Sequence, residues 1–450
     1  GFTRSPKSGY VWTDGALMPD AHALLETKEV CKTYRTADRA GRLVLDHIDF
    51  ALKEGEIVAI LGKSGSGKST FLRVLAGLTP QSEGNVLYRG TPVVAPVTGV
   101  AMVFQSFALF PWLTVLGNVE LGLEAQGVPR DERRKRAIAA IDLIGLDGYE
   151  SAYPKELSGG MRQRVGFARA LVVNPDVLLL DEPFSALDVL TAETLRGDLA
   201  DLWTARRVPT KGIVFVSHNI EEAVEMSDRV IVFSSDPGRI RAELPVPLPR
   251  PRDHENATFR KIVDEVYSQI TTQPGREPGK RGTPAQTIGI AYRLPPASIQ
   301  QLMALLDTLM VAPFNGRADL PHLAEELSLS VDDLFPLIET LQLMGLAQVG
   351  GGDIEATAQG RALAEADMQK RKQIFGEHLL RAVPLIAHIR RVLDERPGHT
   401  APSGRFLSEL EDHLSEEDAS EVFETVVNWA RYAELFAYDY DSGVLSLENP

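Results

Sequence analysis

Short unbroken apolar runs alternate along the chain with stretches where apolar residues recur every three or four positions. Ile57 to Leu61, Val100 to Phe104, Val177 to Leu180, Ile213 to Val216 and Val230 to Phe233 are continuous runs, the pattern of parallel strands covered on both faces. Between them Phe71, Val74, Leu75 and Leu78, and later Met161, Val165, Ala168 and Val172, fall at helical spacing. Upstream, Leu24 to Leu52 reads as strand, with Val44, Ile48, Phe50 and Leu52 alternating as on a half-buried face, and Gly84 to Tyr88 reads as a further strand. Strand and helix in alternation predict an α/β fold. Val230 to Phe233 is expected to close the sheet, Asp236-Pro237-Gly238 to turn the chain back, and the prolines from Pro245 to Pro251 to mark an extended exit.

Two stretches depart from this texture. From Phe107 to about Tyr153 the pattern is helical, with Ala137, Ile141 and Ile144 on one stripe and Arg130 to Arg136 as a solvated charged face. This predicts a helical insert in a sheet protein. After the Pro/Gly-rich segment from Gln273 to Pro296, which reads as an interdomain linker, amphipathic helices are expected over Ile299 to Met310, Leu320 to Leu327 and Val331 to Met344. A hairpin then turns through Gly350 to Asp353, and three helices plus a hairpin make a winged-helix arrangement. Arg381 to Leu393 and Ala419 to Ala437 read as further helices, and Asp441-Ser442-Gly443 as a last hairpin turn. The organisation expected is a lead-in over 1–23, a sheet domain over 24–251 with its helical subdomain at about 107–160, a connecting segment over 252–297, and a mostly helical domain over 298–450.

A chain of 450 residues exceeds what one hydrophobic core usually serves. Its formal charge of −15, from 62 acidic and 47 basic residues, disfavours broad nucleic-acid or anionic-lipid binding. No stretch approaches the roughly 20 uninterrupted apolar residues of a spanning helix, so work at a membrane would need another chain to do the spanning. The single cysteine, Cys31, excludes an intrachain disulfide framework and reads as a strand residue. The first twenty residues hold no apolar core of signal-peptide type and read as a polar lead-in.

The densest chemistry lies at Glu56 to Thr70. Gly62, Gly65 and Gly67 let the backbone turn tightly and bring N–H groups close to an anion. The spacing Gly62-x-x-x-x-Gly67-Lys68-Ser69 is that of a phosphate-binding loop, with Lys68 reaching the β- and γ-phosphates and Ser69 holding Mg²⁺. Asp181 and Glu182 end an apolar run where open sheets bind ligands; alternation sends them to opposite faces, so that one carboxylate can hold metal and the other orient water. His218 ends another run, and Ser158 is placed to cap a helix with exposed amides.

Taken in order, these motifs resemble the nucleotide-binding subunit of ATP-binding cassette (ABC) transporters over roughly Leu24 to Pro251. The resemblance implies a P-loop NTPase with a RecA-like core. It implies that Tyr34 stacks on adenine and that Gly62, Lys63, Ser64, Gly65, Ser66, Gly67, Lys68, Ser69 and Thr70 cradle the phosphates of ATP. Gln105 would sense Mg²⁺ together with Ser69 and Asp181, and Glu182 would polarise the attacking water. His218 would contact the γ-phosphate, and Asp188 would couple two sites. Leu157-Ser158-Gly159-Gly160-Met161 corresponds to the signature motif that completes the ATP site of a second copy, so a homodimer is implied. Permease subunits and a periplasmic or lipid-anchored solute-binding protein are the further partners, with the chain peripheral on the cytoplasmic face of the inner membrane.

The stretches Phe107 to Val115 and Ser217 to Ala223 look like the bacterial importer group for nitrate, sulfonate, taurine or bicarbonate. From about Ser298 the chain is similar to an AAA-associated C-terminal domain, expected to be regulatory. A soluble ABC ATPase outside transport and a nucleotide-regulated DNA-binding protein are the alternatives. Against DNA, the candidate recognition helix carries Asp332, Asp333 and Glu339 and no Lys or Arg, which repels phosphates. Its apolar Leu334, Phe335, Ile338 and Leu341 suggest packing against another protein surface. Truncation near Thr283 is expected to leave a foldable ATPase.

Overall fold

The computed structural model describes residues 12–13, 16–17, 23–34, 41–235, 237–271, 289, 292, 294–327, 329, 331–350, 352–414 and 416–447. Most of the expected lead-in and most of the expected linker lie outside them. The chain divides into two compact units, Gly1–Ile270 and Thr271–Pro450.

In the first unit β1 (Trp12–Thr13) pairs with β2 (Ala16–Leu17). An antiparallel sheet in the order β4-β3-β6-β7 is built from β3 (Ala23–Tyr34), β4 (Arg42–Lys53), β6 (Glu83–Tyr88) and β7 (Thr91–Pro92). The expected alternation in β4 breaks at a bulge where Glu29 and His47 both take positive φ (51° and 50°), so Leu45 and not Val44 turns fully into the core.

The central sheet runs β12-β11-β5-β10-β9-β8. It comprises β5 (Glu56–Leu61), β8 (Val100–Val103), β9 (Val177–Asp181), β10 (Gly212–Val216), β11 (Arg229–Phe233) and β12 (Ile240–Pro245). All neighbours are parallel except β11 and β12. Two expectations are corrected here. The sheet is closed by antiparallel β12 rather than by β11, because the turn after Phe233 brings the chain straight back along it. And β8 is an edge strand whose Val100, Ala101 and Met102 are half-buried, since only one side has a neighbour.

Helix α1 (Lys68–Leu75) follows β5, and α2 (Val115–Ala125), α3 (Arg130–Leu143) and α4 (Gly159–Leu171) form the helical region. Val119, Leu123, Ala137, Ile141 and Val165 bury their shared faces. Helices α5 (Val189–Thr204) and α6 (Ile220–Met226) follow β9 and β10. Helix α7 (Ala257–Thr271), read from sequence as part of a connecting segment, buries Phe259, Val263, Val266 and Tyr267 and belongs to the first unit.

The second unit repeats one motif. Helix α8 (Ile299–Met310), β13 (Arg317–Asp319), α9 (Leu320–Glu326), α10 (Val331–Leu343), β14 (Ala347–Gly350) and β15 (Asp353–Ala356) form the expected winged-helix module, with sheet order β13-β15-β14. Helices α11 (Ala358–Glu365) and α12 (Met368–Ala382) lead to α13 (Pro384–Glu395), β16 (Thr400–Pro402), α14 (Ser403–Glu411), α15 (Glu416–Tyr432), β17 (Ala437–Asp439) and β18 (Val444–Ser446). The second sheet has the order β16-β18-β17, so the topology is the same and there are two winged modules in tandem. The helix expected over Arg381 to Leu393 is two helices, because Pro384 opens α13 at its first position. The helix expected to reach Ala437 stops at Tyr432, and Ala437 opens β17. Leu334, Phe335, Ile338 and Leu341 are at most 3% exposed; they form the core of their own module and are not free for a partner. No helix among the described residues is long and apolar enough to cross a membrane.

Candidate functional site

Strand β5 delivers the glycine-rich loop to the carboxyl edge of the sheet. The registers Val216 to Ile60 and Val216 to Asp181 bring the ends of β5, β10 and β9 level. Gly67 precedes α1 with φ of 90°, and a Cβ there would stand 2.9 Å from Leu45 Cδ2, so only glycine fits without strain. The loop is backed by Gly238, where a Cβ would come within 2.2 Å of the Ser66 carbonyl. Lys68 is buried, and its ammonium donates to the carbonyls of Gly62 (2.6 Å) and Lys63 (2.9 Å), which fixes the charge against the loop. Ser66 Oγ is buried with no hydrogen-bond partner among the described residues, while Ser64 and Gly65 are exposed. A buried unpaired hydroxyl beside a positive charge and the free amides of a helix start suits an anionic ligand.

Beside the loop, Ser69 Oγ donates to Asp181 Oδ1 at 2.8 Å. Burial pushes the Asp181 carboxyl above its usual range, against the Ser69 hydroxyl and the charges of Arg73 and Lys68. The next residue is placed by a turn and not by strand alternation: β9 ends at Asp181, and Glu182 takes a left-handed backbone with φ of 46°. Its amide donates to Val216 O (3.1 Å) and its carbonyl accepts from Ser185 Oγ (3.0 Å), which holds this unusual conformation. Glu182 Oε2 accepts from Gln105 Nε2 at 2.8 Å and lies 3.6 Å from His218 Nδ1. The His218 imidazole holds the Glu182 carboxyl below the usual carboxylate range, with Lys68 adding to the effect and burial opposing it.

One connected cluster therefore contains Lys68, Ser69, Gln105, Asp181, Glu182 and His218. Tyr34, Ser158 and Asp188 have different partners. Tyr34 is 43% exposed at the end of β3, with Lys32 Nζ 4.8 Å above its ring. Ser158 Oγ accepts from Met161 N (3.3 Å) as the N-cap of α4, and Asp188 caps α5 by accepting from Thr191 N (3.1 Å). The two caps adjoin, since Gly160 lies against Thr191 and Gly159 against Leu187.

Sequence reasoning passed over the residues of α4 that touch this cluster's supports. Gln163 Nε2 donates to the Pro183 carbonyl (2.7 Å), and Arg169 bonds the carbonyls of Phe107 and Ala108. The available signal was a polar set at 162, 163 and 169 on a helix with a mostly buried face.

Residues 45–185 match the ABC transporter family, and residues 321–439 match the C-terminal AAA-associated domain. Over 230 residues the chain is 45% identical to an uncharacterized ABC transporter ATP-binding protein of Methanocaldococcus jannaschii, covering 50% of this chain and 85% of that protein. The chain belongs to the ABC transporter ATP-binding proteins. It is 44% identical over 248 residues to the nitrate import ATP-binding protein NrtD of a Synechocystis strain (53% of this chain, 91% of that one). It is 46% identical over 228 residues to the taurine import ATP-binding protein TauB of Rhizobium johnstonii (50% and 86%). Each family match lies inside one unit of this ABC protein, the first holding the loop and both carboxylates, the second spanning most of the two winged modules.

Proposed function

We propose that the chain is the ATP-hydrolysing subunit of a bacterial importer for a small anion such as nitrate, taurine, a sulfonate or bicarbonate, with the second unit as a regulatory module. The solute class rests on what the relatives are named for. The observation that carries hydrolysis is Glu182, an ionised carboxylate fixed by a strained turn between Gln105 and His218 and next to the phosphate loop. In this reading the loop from Gly62 to Thr70 binds the phosphates, with Lys68 neutralising their charge and Ser66 Oγ supplying a buried polar contact. Glu182 orients and deprotonates the attacking water, and His218 both keeps Glu182 ionised and faces the γ-phosphate. Tyr34 stacks on the base.

Ser69 and Asp181, bonded to each other at 2.8 Å, and the amide oxygen of Gln105 are hard oxygen donors of the kind Mg²⁺ takes, and these residues would hold it. When bound, the ion supplies positive charge to the phosphate oxygens. The raised Asp181 carboxyl suits that role, because a neighbouring cation favours its ionised form.

The complete site is proposed to form between two copies, Ser158, Gly159 and Gly160 of one facing the loop of the other, with Asp188 at the junction. The exposure of Val189 (72%) and Leu190 (75%) directly after Asp188 supports a covered surface there. Phe110 and Trp112, paired at 5.3 Å and 40% and 69% exposed, are the proposed contact with the permease, which holds the chain at the cytoplasmic face of the membrane. A solute-binding protein completes the importer. Nucleic acid is not a proposed partner, because α10 and α15 both carry acidic surfaces.

The test is Glu182→Gln, which keeps shape and ATP binding and removes the charge. Turnover should fall by about 10² or more while an ATP-bound dimer accumulates; near-normal turnover would overturn the assignment.

A further inference from the structure

We propose that helix α4, chiefly through Arg169, is a bracket that positions Gln105 against Glu182, so that the helix carrying Ser158 at its start also sets the geometry of the hydrolytic carboxylate. Arg169 is a positioning residue, and the inference rests on the hydrolytic reading above.

Three residues of α4 carry it: Arg162, Gln163 and Arg169. Beyond Gln105 the chain places Phe107 and Ala108 in consecutive left-handed conformations (φ of 60° and 47°), which residues with a Cβ adopt rarely and do not hold alone. Arg169 grips this turn: Nη1 donates to the Ala108 carbonyl at 2.5 Å and Nη2 to the Phe107 carbonyl at 3.1 Å. Among the described residues Arg169 forms no ion pair with a carboxylate, and the Phe107 and Ala108 carbonyls are the acceptors its guanidinium donates to. About two helical turns toward the N-terminus, Arg162 lies over the Phe107 ring at 5.5 Å. On the other side of the Gln105–Glu182 bond, fully buried Gln163 donates to the carbonyl of Pro183, the residue after Glu182.

One rigid helix therefore holds the loops on both sides of a single hydrogen bond. Because both loops are tied to α4 by directional bonds and not by apolar packing alone, the helix fixes Gln105 and Glu182 relative to each other, and loss of either tie releases one of them from the other. Whatever engages the Ser158 end of α4 is thereby coupled to the carboxylate, without either ligand touching Arg169.

The experiment measures ATP turnover of the full chain for Arg169→Ala, Gln105→Ala and the double variant, with melting curves as a folding control. Losing two charge-assisted bonds should lower kcat about tenfold or more and change KM for ATP by less than about twofold. If Arg169 acts through Gln105, the double variant should be scarcely slower than Gln105→Ala alone. Adding Ala108→Gly to Arg169→Ala should restore several-fold of the loss, because glycine takes positive φ without help. Should Arg169→Ala not fold, Arg169→Lys enters the same cycle, with a smaller loss expected because an ammonium is a point donor and not a fork. Multiplicative losses in the double variant would overturn the bracket while leaving the hydrolytic reading intact. Unchanged kcat in Gln105→Ala would also overturn the bracket, whereas the hydrolytic reading falls only if Glu182→Gln keeps near-normal turnover.

Discussion

The two units use long-range polar contacts for different ends. In the first, Ser69 reaches Asp181 across 112 residues of sequence and Gln105 reaches Glu182 across 77, and all four meet at one sheet edge. In the second, Arg371 reaches Asp307 across 64 residues and Lys372 reaches Glu434 across 62, but the carboxylates at the far ends are 47% and 39% exposed, and each pair ties two elements at the surface. Positive φ also occurs away from the cluster in the first unit, as at the Glu29 and His47 bulge, but at the cluster it coincides with polar groups converging beside the phosphate loop. Glu182, Phe107 and Ala108 hold positive φ inside or beside the cluster, whereas Asn315, His399 and Glu434 hold it in turns between elements. Buried polar groups that converge, on a backbone held against its preference, mark where chemistry is done. Surface pairs that only link elements mark a platform.

The sharpest break of this comparison would be a first unit that hydrolyses ATP alone. Lys68→Ala and Ser158→Arg should each lower turnover of a homodimer by about 10² or more. Mixing the two variants creates dimers with one intact and one doubly damaged site, so activity should reappear on mixing. No recovery, with dimers shown to exchange, would remove the two-chain site. Cysteines placed at positions 64 and 159 in a chain lacking Cys31 should cross-link between copies in the presence of ATP.

Why the cluster was legible and its supports were not follows from the kind of signal each leaves. The loop from Gly62 to Thr70, the capping Ser158 and the paired Asp181 and Glu182 are local: their residue types and spacing are enough to suggest the chemistry proposed for them. Arg169 is not local, because its partners are carbonyls exposed by an unusual backbone at Phe107 and Ala108, and carbonyls leave no trace in a sequence. The first winged module announced itself through amphipathic helices and a glycine turn. The second hid because β16 is Thr400-Ala401-Pro402, with only Ala401 buried, which reads as a turn. Helix α12 hid behind Lys370-Arg371-Lys372, although Phe375 and Leu379 sit four apart on its buried face. The apolar stripe of α10 reads from sequence as a docking face because periodicity gives burial without saying which element covers it.

Truncation tests where the first unit ends. A chain ending at Thr271 should fold and melt cooperatively, since α7 is complete. One ending at Pro251 loses Phe259, Val263, Val266 and Tyr267 from the core. At about 1.5–3 kcal/mol for each large apolar side chain, that loss is comparable to the whole stability of a domain, so the shorter chain should be insoluble or unfolded. A well-folded chain ending at Pro251 would return α7 to the linker. With the longer chain, ATPase activity should persist and its regulation should change.

His218→Ala probes the electrostatics of the first unit with a smaller effect. Glu182 has a folded pKa depressed chiefly by His218, so it stays ionised into acid, and its function is lost only as pH falls through that lowered value. Without the imidazole, burial becomes the dominant influence and raises the carboxyl. The acid limb of the turnover profile should then move to higher pH. An unmoved limb would separate the two residues. No corresponding shift is expected for His388→Ala in the second unit, although His388 Nε2 lies 2.9 Å from Glu409.

The smallest test uses one substitution in both units. Thr114 Oγ1 accepts from Gly117 N at 3.1 Å to cap α2, and Thr357 Oγ1 accepts from Gly360 N at 3.1 Å to cap α11, so the caps have the same geometry. The surroundings differ. Thr357 Oγ1 also lies 2.8 Å and 3.0 Å from the carbonyls of Gly345 and Leu346, tying the helix start to the turn that leads into β14. Thr114→Ala should therefore cost about 1 kcal/mol, while Thr357→Ala should cost about 2 kcal/mol because a further bond to a neighbouring element is lost with the cap. Urea unfolding of the full chain, fitted with separate transitions for the two units, reads both. Equal costs would mean that the extra carbonyl contacts add nothing. If Thr357→Ala leaves basal ATP turnover unchanged while lowering its own transition, the second unit is a platform whose local stability is independent of the chemistry in the first.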